Sequence, residues 1–273
     1  MRNAIRRILL GIFGPLFDEF ERRLSKDIDR KLNPVKILAN PYLVGKLLAT
    51  GRDVVIPKGQ PPIETPVPPE DFWRTYGESV EDYLACGQSD TATLLKILGD
   101  GGVNPNSLTR VLDLGCAAGR MLRFFPRSAN NAEVWGLDID ARRILWCQQH
   151  LSPPINFATI TTSPHLPFED NYFDLVYCAS VFTHITDLAD AWFLEIRRVL
   201  RNGGHAYITI HDKHSVELLF TKYRNNELFA GLVKSVEPFY KRHSIQSGDY
   251  ACFWFGADPK SQVFYDVEDL VGK

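Results

Sequence analysis

The chain has 273 residues and a mass of 31.0 kDa, room for one sizeable α/β domain and an accessory segment. Its apolar share of 45% excludes wholesale disorder, and no apolar run is long enough for a transmembrane helix. The formal net charge of -2 argues against a general nucleic-acid binder, and five scattered cysteines with no C-x-x-C pair argue against a disulfide framework or zinc site. A reducing cytoplasm is the expected setting.

Residues 1–60 are basic, with twelve Lys/Arg against six Asp/Glu, whereas residues 61–110 hold three basic and eight acidic residues. Apolar positions Ile5, Ile8, Leu9, Ile12, Phe13, Leu16, Phe17, Phe20 and Leu24 follow the three-and-four spacing of one helical face. Gly14-Pro15 should kink or break that helix. A secretory leader is rejected, because no small-residue cleavage site follows and Asp18-Glu19 comes next. The segment reads as a helix docking on the main domain or a second subunit, or as an in-plane membrane helix favoured by Arg2, Arg6 and Arg7. Self-association or peripheral membrane contact is therefore expected of residues 4–32.

Five prolines fall within residues 61–70, which makes a stiff extended linker. Residues 71–273 then form the expected main domain. Its first stretch, Asp71 to Leu98, reads as helical. From Arg110 short strands alternate with helices: Arg110–Leu114, a helix at Met121–Phe125, Glu133–Asp138, a helix from Ala141 to His150, Ile155–Thr159 and Phe173–Cys178. A periodic helix covers Asp187–Leu200, Asn202-Gly203-Gly204 reads as its left-handed C-cap, and His205–Ile210 is a fifth strand. That alternation predicts an α/β, Rossmann-like, doubly wound and mostly parallel sheet with helices on both faces, preceded by an N-terminal helical extension. Beyond it lie an expected helix at Ser215–Leu232, an aromatic run at Tyr250–Phe255 and a closing helix at Phe264–Leu270.

The strand ending in Asp113 runs into Gly115-Cys116-Ala117-Ala118-Gly119. Small residues there let a ligand approach the backbone, and in open α/β sheets ligands bind beyond the carboxyl ends of the strands. A nicotinamide loop would need a third glycine where Arg120 stands, and no G-K-[ST] follows for a phosphate loop. A tight turn with no ligand remains the plain alternative. Asp138 ends the next strand, about twenty residues on, where a carboxylate can accept both hydroxyls of a ribose, or merely cap the following helix. Ile139 is the neighbouring candidate for an adenine face.

Val111 to Arg120 resembles the first motif of class I S-adenosylmethionine-dependent methyltransferases, and Gly136-Leu137-Asp138-Ile139-Asp140 resembles their second. Leu166 to Val176 is similar to their L-P-F-x-D-x-x-F-D-x-V segment. Glu195 to Gly204 resembles the helix-to-fifth-strand signature, usually L-x-P-G-G. The resemblance covers about residues 110 to 212. It implies S-adenosyl-L-methionine as methyl donor, with Asp113 and the backbone of Gly115, Cys116, Ala117 and Gly119 on the methionine portion. Asp138 would take the ribose and Ile139 the adenine, while Cys178 to Ser180 would border the methyl group and the acceptor. Thr161 to His165 stands where the family often has an acidic adenine contact. Ala117 replaces the common middle glycine, a change tolerated if its φ is negative. The family's last two strands are not evident, which would leave an exposed sheet edge.

A general base is needed only if the acceptor must lose a proton; His184 and His211, after the fourth and fifth strands, are the candidates. His211, Asp212 and His214 lack a further partner at diagnostic spacing, so no metal is expected. The acceptor is a small molecule or a lipid- or glycan-linked group. The competing reading is a catalytically silent S-adenosylmethionine-binding interaction protein.

Overall fold

The computed structural model describes residues 65–126, 132–185, 188–226, 229–242, 253–255 and 262–272. The expectations for residues 1–60 lie outside them. The end of the proline segment, Thr65–Pro69, runs without regular structure against the main body. Its carbonyls serve as acceptors: Trp73 Nε1 donates to Pro68 O at 3.0 Å and Arg123 Nη1 to Pro66 O at 3.2 Å.

The expected helix from Asp71 to Leu98 is two helices. α1 (Glu70–Trp73) leads through a 3-10 turn at Arg74–Tyr76 to α2 (Val80–Asp100). The break is built into the sequence at Ser79, whose hydroxyl accepts from Asp82 N–H while the Asp82 carboxylate accepts from Ser79 N–H. That reciprocal cap satisfies donors a helix start would otherwise leave orphaned.

Five parallel strands follow: β1 (Arg110–Leu114), β2 (Glu133–Asp138), β3 (Asn156–Thr159), β4 (Phe173–Cys178) and β5 (Leu200–Ile208). Their order in the sheet is β3-β2-β1-β4-β5. Helix α3 (Ala141–His150) joins β2 to β3, and α4 (Ala189–Val199) joins β4 to β5. Successive strand residues point to opposite faces and both faces are covered, so the strands read as nearly continuous apolar runs. Val111, Val134, Phe157, Leu175 and Tyr177 pack with Leu94 and Leu98 of α2 and Ile144 and Cys147 of α3. Leu112, Leu114, Trp135, Leu137 and Val176 pack with Trp192, Ile196 and Val199 of α4. Each such fully buried large side chain contributes about 1.5–3 kcal/mol.

The L-P-F segment is held by one arginine. Arg198 donates to the carbonyls of Phe168 (2.8 Å) and Leu166 (3.0 Å), to Asp170 (2.8 Å), and to both carboxylate oxygens of Glu195 (2.7 and 2.8 Å). Glu195 in turn accepts from Leu166 N–H at 2.5 Å. Asp174 plays a matching part at the start of β4, accepting from Thr109 N–H and hydroxyl, Arg110 N–H and the Arg201 guanidinium. Burial pushes its carboxyl up, but those donors outweigh burial and hold it below the usual range.

Three local expectations are corrected. Met121–Phe125 is a run of turns, not a helix: Phe124 N–H bonds Met121 O at 3.0 Å and Phe125 N–H bonds Leu122 O at 3.3 Å, three residues back. Gly119 has φ +73° and Pro126 follows, so too few residues remain to propagate a helix. Asn202-Gly203-Gly204 is not a helix cap. The helix ends at Val199, the chain turns directly into β5, and Gly203 (φ +73°) lies where the register against β4 shifts between Phe173 and Leu175. The expected helix at Ser215–Leu232 is split into α5 (Lys213–Thr221) and α6 (Ala230–Arg242).

Among the described residues β5 is the last strand of the sheet. The aromatic run supplies β6 (Phe253–Phe255), which pairs antiparallel with β7 (Gln262–Phe264) as a separate two-stranded sheet. The closing helix, expected from Phe264, starts later, as α7 (Val267–Gly272). β7 is tied to the main body by a parallel bridge between His211 and Phe264.

Candidate functional site

The order in which strands are added reverses between β1 and β4, since β2 and β3 lie on one side of β1 and β4 and β5 on the other. Ligands of open α/β sheets bind at that switch point. The loop leaving β1 there is pinned from below: Gly115 N–H and Cys116 N–H both donate to Leu137 O, at 2.7 and 3.0 Å.

Gly115 (φ +82°) and Gly119 (φ +73°) are required by geometry within the protein itself. A Cβ at Gly115 would stand 2.2 Å from Val181 Cγ2, and one at Gly119 2.6 Å from Leu151 Cδ1. Ala117 lies between them at φ +49°, so the condition under which its side chain was expected to be tolerated is not met. An alanine in this region costs about 1–2 kcal/mol. The strain serves a contact, because Ala117 N–H donates to Asp138 Oδ2 at 2.8 Å.

Asp138 ends β2 and is partly exposed. Its other oxygen, Oδ1, accepts from Asp140 N–H at 2.8 Å. It does not cap α3; Asp140 does, accepting from Arg142 N–H. Burial raises the Asp138 carboxyl above its ordinary range, while the Asp140 and Ala117 amides pull it back. Ile139, beside it, is 36% exposed. Together these residues fit a nucleoside: each carboxylate oxygen is oriented by one amide and keeps lone pairs for a vicinal diol, next to an open apolar face.

Asp113 lies beneath the loop and is only 2% exposed. Burial pushes its carboxyl up to about 7, partly offset by the Tyr177 hydroxyl and the Arg120 guanidinium. Cys116 is buried and burial drives its thiol well up, so it can offer a ligand only its backbone. Cys178 is fully buried among the residues facing α4. Ser180 is exposed, at φ +61°, with its N–H held by Thr209 Oγ1 at 2.7 Å.

Two neighbours were not legible in the sequence. Arg120, noted there only as too bulky for a dinucleotide loop, is buried. Its Nη1 donates to Asp90 Oδ2 at 2.6 Å and to Cys86 Sγ at 3.2 Å, and its guanidinium stacks on the Tyr76 ring at 4.5 Å. The close approach that a third loop glycine would allow is supplied from α2: a Cβ at Gly87 would stand 2.5 Å from Arg120 O. Tyr76 is thereby brought to the loop, where burial raises its phenol and the charges of Asp138 and Asp113 reach it.

The second is Tyr265. Its N–H donates to His211 O at 2.7 Å and its hydroxyl to Ile185 O at 2.6 Å. One buried residue of the C-terminal segment thus joins the loop after β4, carrying His184, to the loop after β5, carrying His211. The His211 ring lies 5.2 Å from that of Phe264. Both histidines are partly exposed. Asp212 is committed to capping α5 through Ser215, and among the described residues no group of three or more His, Cys, Asp or Glu is arranged for a metal.

A Rossmann-like sheet with a glycine loop after β1 and a carboxylate ending β2 defines a class of proteins that bind nucleosides. Residues 112–208 match the family model described as a methyltransferase domain. The chain thus carries a class I S-adenosylmethionine-dependent methyltransferase domain. It is 33% identical over 101 residues to phthiotriol/phenolphthiotriol dimycocerosates methyltransferase 1 of Mycobacterium ulcerans, covering 37% of this chain and 36% of that one. It is 30% identical over 102 residues to the ubiquinone/menaquinone biosynthesis C-methyltransferase UbiE of Cupriavidus pinatubonensis, covering 36% and 42%. Each alignment spans less than half of the relative's own length. Among solved structures, magnesium protoporphyrin IX methyltransferase from Synechocystis with bound SAH is 22% identical, with a TM-score of 0.42 over 56% of this chain and 72% of that one.

Proposed function

We propose that the protein is an S-adenosylmethionine-dependent methyltransferase acting on a small-molecule or lipid- or glycan-linked acceptor. The observation that carries this reading is the Asp138 carboxylate, with one oxygen anchored by the glycine loop through Ala117 and the other by Asp140. S-adenosylmethionine, when bound, supplies a methyl group on a sulfonium that an acceptor can attack in line. Asp138 would hold the ribose hydroxyls, Ile139 would cover the adenine, and Asp113 with the Gly115–Gly119 backbone and the exposed Ser180 would hold the amino-acid end.

The acceptor would enter between the loops after β4 and β5, which Tyr265 ties together. His184 or His211 would take a proton where the acceptor must lose one. Holding acceptor and donor in line can supply about 7–11 kcal/mol of the acceleration. The names of the two relatives, one in phthiotriol and phenolphthiotriol dimycocerosates methylation and one in ubiquinone/menaquinone biosynthesis, support an acceptor of this kind. No helix among the described residues is long and apolar enough to cross a membrane, so membrane contact would rest on residues 4–32 lying in the interface.

Calorimetric titration with S-adenosylhomocysteine tests the donor site, with saturable binding at one site per chain expected. Release of S-adenosylhomocysteine from S-adenosylmethionine with a panel of acceptors then tests turnover. Absence of binding overturns the assignment.

A further inference from the structure

Ser180 is the second residue beyond β4, and its backbone is held from both sides. Its N–H donates to Thr209 Oγ1 at 2.7 Å, and its carbonyl accepts from Thr183 Oγ1 at 2.8 Å. Thr209 directly follows β5, and its own N–H donates to Cys178 O at 3.1 Å, continuing the pairing of β5 with β4. Its hydroxyl donates to the same carbonyl at 3.4 Å. A continuing parallel ladder would give the next β4 amide a main-chain carbonyl of β5. The Thr209 hydroxyl takes that amide instead, and the chain leaves the sheet at Ser180 with φ +61°. A serine in this conformation is strained and persists only where its surroundings over-determine it. Among the described residues nothing bonds the exposed Ser180 hydroxyl, so it is the polar group that the turn leaves for a ligand. The turn also meets the glycine loop, since a Cβ at Gly115 would stand 2.2 Å from Val181 Cγ2. With β1 alone between β2 and β4, the strand ends that carry Asp138 and Ser180 are two strand spacings apart, about 9–10 Å.

We infer that Thr209 is a positioning residue: its hydroxyl holds Ser180 so that the serine hydroxyl meets a polar substituent on the 5′ carbon of a nucleoside bound at Asp138. This rests on the donor-site reading above. With the base against Ile139 and the ribose on Asp138, the 5′ carbon leads over the glycine loop toward β4. Thr209 touches no part of the ligand and acts through Ser180. A hydroxyl is needed because one group must accept from Ser180 N–H while donating to Cys178 O. Valine has the shape of threonine but can do neither, so the Ser180 amide loses its partner and the serine relaxes out of the left-handed region.

The test is calorimetry of the full chain with S-adenosylhomocysteine and with 5′-deoxyadenosine, which has the same base and ribose but no polar group on the 5′ carbon. A thermal melt first shows that each variant is folded. Ser180→Ala and Thr209→Val should each weaken S-adenosylhomocysteine about three- to tenfold and leave 5′-deoxyadenosine unchanged. The double variant should lose no more than Ser180→Ala alone, because Thr209 acts through that hydroxyl. Thr209→Ser, which keeps the hydroxyl, should bind as the wild type does. Equal weakening of both ligands, losses that multiply in the double variant, or wild-type affinity in Thr209→Val overturns the inference alone. Where Thr209→Val does not fold, Ser180→Ala decides: selective loss of S-adenosylhomocysteine supports the inference and unchanged affinity overturns it. No binding of S-adenosylhomocysteine by the wild type overturns the donor-site reading, and this inference with it.

Discussion

Replacement of Asp138 by alanine is the sharpest probe of the site. The carboxylate has two jobs, accepting from Ala117 N–H and Asp140 N–H at 2.8 Å each, and, on the proposed reading, accepting two ribose hydroxyls. Charge-assisted hydrogen bonds contribute about 1.5–3 kcal/mol each. Partial exposure of Asp138 argues for the lower end, so two lost bonds amount to about 3 kcal/mol and weaken S-adenosylhomocysteine binding about a hundredfold. The two amides left behind lose their acceptor, and removing a carboxyl that burial disfavours offsets part of that loss, so stability should fall by about 1–3 kcal/mol. Asp138→Asn keeps one oxygen but turns an NH2 toward one of the two amides, which predicts a loss of about tenfold. Calorimetry gives the affinities and a thermal melt confirms that each variant is folded. A folded Asp138→Ala protein that binds S-adenosylhomocysteine within about threefold of the wild type would refute the reasoning.

The loop's backbone strain gives opposite signs at neighbouring positions. Gly119→Ala should destabilise by at least about 1–2 kcal/mol, because a side chain at φ +73° would also press on Leu151. Ala117→Gly should be neutral or stabilising by about 1 kcal/mol, relief of the left-handed alanine exceeding the added chain entropy; urea melts that reverse this order would contradict the geometry. Tyr265→Phe deletes the hydroxyl bonded to Ile185 O and should lower stability by about 1–3 kcal/mol in chemical denaturation. If stability is unchanged, the tie between the two acceptor-side loops carries no weight. Arg198→Ala strips the donors from Leu166, Phe168 and Asp170 and leaves Glu195 largely buried without its partner. A cost of about 3 kcal/mol or more is expected, and a melt within about 0.5 kcal/mol of wild type would show that the segment orders itself without Arg198.

The pattern of residues was sufficient for the parallel sheet. Four apolar runs at Arg110–Leu114, Glu133–Asp138, Ile155–Thr159 and Phe173–Cys178 are periodic and local, and local periodicity is what a linear chain displays. The observed strands match them to within a residue. The place of Asp138 and Ile139 at the end of β2 was legible for the same reason: consecutive residues at the end of a strand keep their neighbours wherever that strand is placed. The short turns of Met121–Phe125 and the bend at Gly203 were misread because helix and turn share their first hydrogen bonds. What separated them was Pro126 in one case and register against a neighbouring strand in the other.

Contacts between distant parts of the chain had no such signature. Asp90 and Arg120 meet across thirty residues, and Tyr265 reaches eighty residues back to Ile185. Neither separation corresponds to a period of helix or strand, so nothing along the chain marks those residues as partners. The same holds for Asp113. Its identity as an acid at the end of β1 is plain in the sequence, but its carboxyl titrates near neutrality only because β2, β4, α3 and the loop exclude water from around it. The order of residues along the chain was enough to place the sheet, the loop and the carboxylate that ends β2. Which distant side chains surround them follows from packing, because desolvation and pairing are properties of the packed volume and not of the neighbouring residues in the chain.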